Sequence, residues 1–260
     1  MSMRLTILGK SPSWPDRDGA CSGYLLELGG RPLLIDCGNG VFAKLRSRQD
    51  YAQIDDVIIS HLHADHTLDL VPFAYALSLG PQLRDERPRL HAPPGARDAW
   101  RRLCSAWGSE KLIENAFELL EYDPDAELAL GGARVRFQFV PHYVPTWAME
   151  LREQGEPSRF VFGADCGPNE GLVELARGAQ LLLIEATLLV QPPPPEDDPD
   201  EAPGHLTAAE AGEIGRRAGV ERLLLTHFSD QLDPDQLREQ AQAAFGGGVA
   251  LAAQGDQYEI

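Results

Sequence analysis

The stretch Val57-Ile58-Ile59-Ser60-His61-Leu62-His63-Ala64-Asp65-His66 places four metal-capable side chains within six residues. His61 and His63 are two apart, so an extended or tight-turn backbone points both imidazoles to one side. Asp65 and His66 then turn onto a second position close by. Neutral imidazole nitrogens and a carboxylate are the usual ligands of zinc and its borderline relatives. The bland alternative is a surface loop rich in histidine. Against it, these residues include three of the chain's seven histidines and follow an apolar β-branched run that reads as a buried strand.

Other reactive side chains recur at the ends of strand-like runs. Arg134 to Val140 alternates polar with apolar residues and ends in Pro141-His142. Arg159 to Gly163 delivers Asp165, Leu181 to Ile184 ends in Glu185-Ala186-Thr187, and Val220 to Leu225 ends in Thr226-His227. Thr207 with Glu210 forms a capping box for a helix reaching about Ala218, which leaves His205 just outside its N-terminus. His91 has no metal-capable companion in sequence, and a structural or surface role is expected for it. Gly9-Lys10-Ser11 is not a phosphate-binding P-loop, because the glycine that motif needs five residues earlier is Arg4.

The elements that must carry these residues read as follows. A strand over Arg4 to Leu8 precedes a hairpin of Ser22–Leu28 and Pro32–Asp36 joined at Gly29-Gly30. Helices are expected at Val41–Arg48, with Asp36 one candidate for its N-cap, and at Leu68–Leu79, Gly95–Ser105 and Leu112–Leu120. The segment 191–204 holds six prolines and five acids and cannot form a core. It is expected to be a mobile excursion, either a lid over the metals or a solvated spacer. It lies within one domain spanning residues 1–260.

His61-Leu62-His63-Ala64-Asp65-His66 resembles the signature of the metallo-β-lactamase superfamily. That resemblance implies an α/β fold, a four-layer αββα sandwich, carrying one or two metals. Leu33-Leu34-Ile35-Asp36-Cys37-Gly38 looks like the second strand motif of the superfamily, in which the Asp braces a ligand histidine. Carried over residue by residue, the family pattern assigns His61, His63 and His142 to one divalent ion. Asp65, His66 and His227 go to the other, with Asp165 shared. Zinc is the expected metal, and manganese or iron would accept the same ligands. Where the superfamily usually has Gly-Asp-Thr this chain has Ala164-Asp165-Cys166, which keeps the carboxylate. Cys166 is either a soft ligand or, as preferred, a packed core thiol.

Glu185 and His205 match a pair found in the RNase Z branch, where the Glu orients a His that protonates the leaving oxygen. Asp65, Glu185 and His205 are therefore the residues given catalytic roles. Bacterial RNase Z carries a basic tRNA-gripping arm between the third ligand histidine and the bridging Asp. Only 22 residues separate His142 from Asp165 here, too few for such an arm. The whole-chain pattern is similar to armless RNase Z-like proteins, one group of which is described as atypical class II cyclic-nucleotide phosphodiesterases. The resemblance thus implies a phosphodiesterase for a small cyclic nucleotide such as cAMP. The alternatives are tRNA 3′-end processing and lactone or thioester hydrolysis. A non-enzymatic, metal-stabilised interaction module is the remaining reading.

Composition bounds these readings. The chain has 260 residues with 43% hydrophobic content, enough for a sizeable core, and no run of eighteen apolar residues that would span a membrane. Cys21, Cys37, Cys104 and Cys166 form no CxxC pair, so the expected setting is a reducing cytoplasm without disulfides. A net charge of −17 disfavours nucleic acid as a partner and suits a small anionic substrate drawn to a dimetal centre. Relatives of this kind suggest a homodimer.

Overall fold

Runs such as Leu181–Ile184, apolar at every position, are stable only where both faces of a strand are covered. The fold provides that cover by stacking two sheets between two layers of helices. The computed structural model describes residues 3–260 apart from 82–83, 131, 156, 158, 195–197 and 199–201. The first part of the chain lays down β1 (Arg4–Gly9), β2 (Gly23–Leu28), β3 (Arg31–Ile35), β4 (Asp56–Ile58), β5 (Arg89–Ala92) and β6 (Glu118–Glu121). The second lays down β7 (Leu128–Leu130), β8 (Ala133–Val140), β9 (Thr146–Glu153), β10 (Arg159–Phe162), β11 (Leu181–Glu185), β12 (Arg222–Thr226) and β13 (Val249–Leu251). The last strand, β14 (Gln257–Glu259), returns to pair with β1 at the edge of the first sheet. The two seven-stranded sheets run β14-β1-β2-β3-β4-β5-β6 and β13-β12-β11-β10-β9-β8-β7.

Strand periodicity sorts side chains into three apolar layers. Leu5 and Ile7 of β1, Tyr24 and Leu26 of β2, Phe160 and Phe162 of β10, and Leu181 and Leu183 of β11 fill the space between the sheets. Residues of the opposite parity pack outward. On the first sheet, Leu25, Leu34 and Val57 meet α1 (Val41–Arg46), α3 (Leu70–Leu79), α4 (Ala96–Ser105) and α5 (Leu112–Ala116). On the second, Val161, Leu182 and Leu223 meet α6 (Glu170–Ala176), α7 (Ala208–Ala218) and α8 (Pro234–Phe245). A single turn of helix, α2 (Ala64–Thr67), follows β4. The result is the four-layer αββα sandwich expected from the motif.

Strand direction is what builds the site. β3, β4, β5 and β6 are mutually parallel, as are β10, β11, β12 and β13. β8 reaches the same polarity through the antiparallel β9. The carboxyl ends of β3, β4, β8, β10, β11 and β12 therefore open on one edge, the usual place for ligands in sheets of this kind.

One expectation needs correction. Leu112–Leu120 is not one helix: α5 stops at Ala116, and Glu118–Glu121 becomes β6, paired in parallel with β5. Completing a sheet edge overrides the local helical spacing there. Thr146–Glu153, to which the sequence assigns no element, is the eight-residue strand β9. Its Glu150 looks solvated in sequence but is buried, held by Arg152 and Arg159 at 2.7 and 2.9 Å. Within 191–204 the positions 195–197 and 199–201 lie outside the described residues, and the remainder has no regular structure. The four cysteines are buried and free. Among the described residues no helix is long and apolar enough to cross a membrane.

Candidate metal centre

Seven side chains from four strand ends converge at this edge. Two groups emerge in which one ligand atom of each residue lies within 4.8 Å of the others: His61, His63 and His142, and Asp65, His66, Asp165 and His227. Asp165 ties them together, its Oδ2 standing 3.1 Å from His227 Nε2, 3.3 Å from His66 Nε2, 3.9 Å from His61 Nε2 and 4.0 Å from His142 Nε2. Asp65 Oδ2 lies 3.1 Å from His227 Nε2, and His142 Nε2 lies 3.0 Å from His63 Nδ1.

The outward nitrogen of four of these rings is occupied by the protein. His66 Nδ1 bonds Asp36 Oδ2 at 2.7 Å. His61 Nδ1 bonds the Ser60 hydroxyl at 3.0 Å, and that hydroxyl donates onward to Asp36 Oδ2 at 2.8 Å. His142 Nδ1 meets the Gly204 carbonyl at 2.7 Å, and His227 Nδ1 meets the Thr187 hydroxyl at 2.8 Å. Carboxylates and carbonyls only accept, and the Ser60 and Thr187 protons are used on Asp36 and on Glu185 Oε2. Each Nδ1 thus carries an N–H, so that in the neutral ring each Nε2 presents its lone pair to the centre. Two of those, His61 Nε2 and His66 Nε2, are buried without any hydrogen-bond partner. Buried polar atoms left in that state need a partner, and a cluster of imidazole lone pairs and carboxylates is a donor set that fits divalent cations.

Backbone shape serves the same end. Among the described residues, the non-glycine positions with positive φ are Asp36 (56°), Ala164 (52°) and His227 (55°), and each sits where a strand turns into the site. Such conformations cost of order 1–3 kcal/mol and persist where surrounding contacts over-determine them.

Electrostatics follow burial and partners. Burial, reinforced by His66, pushes the His61 imidazole well below its ordinary value. Burial likewise lowers His63 and His142, which favours neutral rings able to offer a nitrogen lone pair to a cation. Burial opposes the charge on Asp165, yet His227 and His66 hold its carboxyl well below the usual range. Cys166 packs in the outer core with its thiol pushed well up by burial, so it is not a thiolate ligand.

Glu185 and His205 stand beside the second group. Glu185 Oε1 accepts from His205 Nδ1 at 2.9 Å and from the Cys166 amide at 2.7 Å. Its other oxygen accepts from the Leu206 amide and the Thr187 hydroxyl. His205 also groups with His142 and Asp165 within the same 4.8 Å limit. Burial works against a charged His205, but the hydrogen bond and charge of Glu185, with Asp165 and Asp65 behind them, push it up to about 9. The capping box of Thr207 and Glu210 fixes the helix just beyond. Close docking of the preceding backbone depends on Gly167, where a Cβ would sit 1.7 Å from the Pro203 carbonyl.

His91, by contrast, lies away from this edge. Its Nε2 bonds Asp56 Oδ1 at 2.9 Å in the first sheet, the structural role expected of it. Sequence reading left Ser60, Thr187 and the Gly204 carbonyl without a role. Ser60 and Thr187 are adjacent to the motifs, which was the available signal; nothing marks a backbone carbonyl.

Fold and site together define the class. The chain belongs to the metallo-β-lactamase superfamily: the family model described as beta-lactamase superfamily domain matches residues 31–228. It is a metallo-hydrolase of that superfamily. Among individual proteins, it is 32% identical to the uncharacterized protein Rv1339 of Mycobacterium tuberculosis, over all of this chain and 93% of that one. It is 29% identical to YhfI of Bacillus subtilis, named a probable metallo-hydrolase, across 99% of this chain and 100% of YhfI. The crystal structure of YhfI superposes with a TM-score of 0.87 at 27% identity, covering 100% of both chains. A protein of Halorubrum lacusprofundi named Ribonuclease Z is 29% identical over 100% of this chain and 98% of its own.

Proposed function

We propose that this chain is a two-metal hydrolase of phosphodiesters, with a small cyclic nucleotide such as cAMP as its substrate. The Glu185–His205 pair, 2.9 Å apart beside the two ligand groups, carries the reading. In it, His61, His63 and His142 hold one ion, Asp65, His66 and His227 the other, and Asp165 both. Zinc suits these nitrogen and oxygen donors, and manganese or iron would also be accepted. Bound ions would supply Lewis acidity that neutralises charge on the phosphoryl oxygens.

The chain's own residues do the rest. Water adds to phosphorus and passes one proton to solvent through the Asp65 carboxylate, the bond from phosphorus to the leaving oxygen breaks, and His205 gives that oxygen its proton. Because Glu185 Oε1 holds His205 Nδ1, the other ring nitrogen is the one free to donate. Glu185 thus fixes the ring's orientation and keeps it protonated, as general-acid catalysis requires. Asp65 is assigned both as a ligand and as the carboxylate that orients the attacking water. A thioester would give the Glu185–His205 pair no task, since a thiolate leaves without a proton, whereas the acid is most needed for a poor alkoxide leaving group.

One observation favours a second reading, tRNA 3′-end processing: the whole-chain similarity to a protein named Ribonuclease Z. Against it, the interval between His142 and Asp165 is occupied by the β9–β10 hairpin, and the net charge is −17. Zinc-loaded protein should be offered cAMP, a precursor tRNA and a simple lactone in parallel. Turnover of cAMP alone is the expected result. Cleavage of the tRNA without turnover of cAMP would overturn the small-substrate assignment.

A further inference from the structure

Among the described residues, Tyr143 is the one large aromatic side chain that is both exposed and seated against the site histidines. It is 60% exposed, with its ring centroid 5.1 Å from that of His142 and 5.7 Å from that of His205. Both separations lie within the range of aromatic contacts. Phe139, also exposed, pairs with Trp147 at 6.1 Å, and among the described residues it makes no ring contact with a site histidine.

The seat of the ring is built into the backbone. Tyr143 lies flat enough against Gly204 that a Cβ there would meet its Cζ at 2.6 Å and its Cε2 at 2.7 Å. Gly204 has no positive φ to require glycine, so the requirement is space for this ring. The same residue's carbonyl accepts from His142 Nδ1 at 2.7 Å. One peptide therefore locks a ligand histidine and supports an exposed aromatic face next to the proton donor.

The position of that donor decides which part of a substrate meets the ring. A general acid must stand within about 2.6–3.2 Å of the oxygen it protonates. The group attached to the leaving oxygen must accordingly lie on the His205 side, where Tyr143 forms the wall. In a cyclic nucleotide the leaving oxygen belongs to the sugar, so the nucleoside is brought to Tyr143. We infer that Tyr143 is the residue on which the base of that nucleoside stacks, holding the leaving group in line with His205. The inference rests on the phosphodiesterase reading above for the direction of the substrate. Tyr143 is a positioning residue and not a proton donor.

Binding of two products separates stacking from phosphate capture. Zinc-loaded protein is titrated calorimetrically with AMP and with ribose 5-phosphate, which lacks the base. Base–aromatic stacking removed by alanine typically weakens binding about tenfold or more. Wild-type protein should prefer AMP by about that factor. Tyr143→Ala should abolish the preference and leave ribose 5-phosphate affinity unchanged, while Tyr143→Phe keeps the preference. Equal affinities for the two ligands in the wild type, or a preference surviving in Tyr143→Ala, would overturn the inference. So would equal weakening of both ligands, which marks a structural role. Cyclic-nucleotide turnover is measured alongside. A Tyr143-dependent AMP preference without any turnover would support the stacking role and count only against the hydrolytic reading.

Discussion

Asp36 Oδ2 accepts a hydrogen bond from His66 Nδ1 at 2.7 Å, and the same oxygen receives the Ser60 hydroxyl that in turn holds His61. One buried carboxylate thus sets the rings of two histidines, one in each group. The Asp36 backbone, at φ 56°, is in a conformation that asparagine tolerates well.

Asp36→Asn should therefore fold and yet bind metal about 10–100-fold more weakly, the usual effect of losing a carboxylate behind a ligand histidine. Competition against a chromogenic chelator measures it. Unchanged affinity would show that the Asp36–His66 bond serves the fold alone.

Removal of the general acid should hurt in proportion to the leaving group. His205→Ala is expected to slow cAMP turnover by about 10²–10⁴-fold, and bis(p-nitrophenyl) phosphate far less, since its leaving group needs no proton. Equal losses on both substrates would remove His205 from the proton-donor role.

The candidate site is legible because His61, His63, Asp65 and His66 cluster in sequence, and the apolar strand before them is equally plain. What stabilises their orientation is not. The Gly204 carbonyl is 62 residues from His142, and Thr187 is 40 from His227, so only the folded chain joins them. β9 is hard to read because Glu150, Arg152 and Glu153 look solvated, whereas Arg152 on the same strand and Arg159 across on β10 pair with a buried Glu150. β6 and β14 are edge strands whose short, charged sequences carry little signal of their own.

Glu185 serves structure as well as chemistry. It accepts from the backbone amides of Cys166 and Leu206, both in buried residues. Glu185→Ala should cost on the order of 1–3 kcal/mol for each amide left without an acceptor, seen as a lower urea midpoint. Glu185→Gln, which keeps an acceptor oxygen, should recover part of that loss. A full-stability Glu185→Ala protein would contradict this account of the strand end.

Asp56 links β4 to β5 through His91 at 2.9 Å and Arg89 at 2.5 Å. Burial alone would raise its carboxyl, but the hydrogen bonds from His91 and Arg89 hold it below its ordinary value. A carboxyl lowered in the folded state binds protons more readily when unfolded. Its contribution is present above about pH 4, the unfolded value, and is lost as pH falls through the lower folded value. Arg89→Ala should therefore narrow the stability gap between pH 6 and pH 3 in urea titrations, most of the change falling on the neutral side. A gap as wide as the wild type's would rule out this coupling.

The central claim is tested most directly by cAMP turnover in zinc-loaded wild type and His63→Ala, with zinc content measured on the same samples. Two ions per wild-type chain with conversion of cAMP to AMP, and loss of both one ion and turnover in the variant, is the predicted result. Wild-type protein that carries two ions and converts neither cAMP nor bis(p-nitrophenyl) phosphate would contradict it.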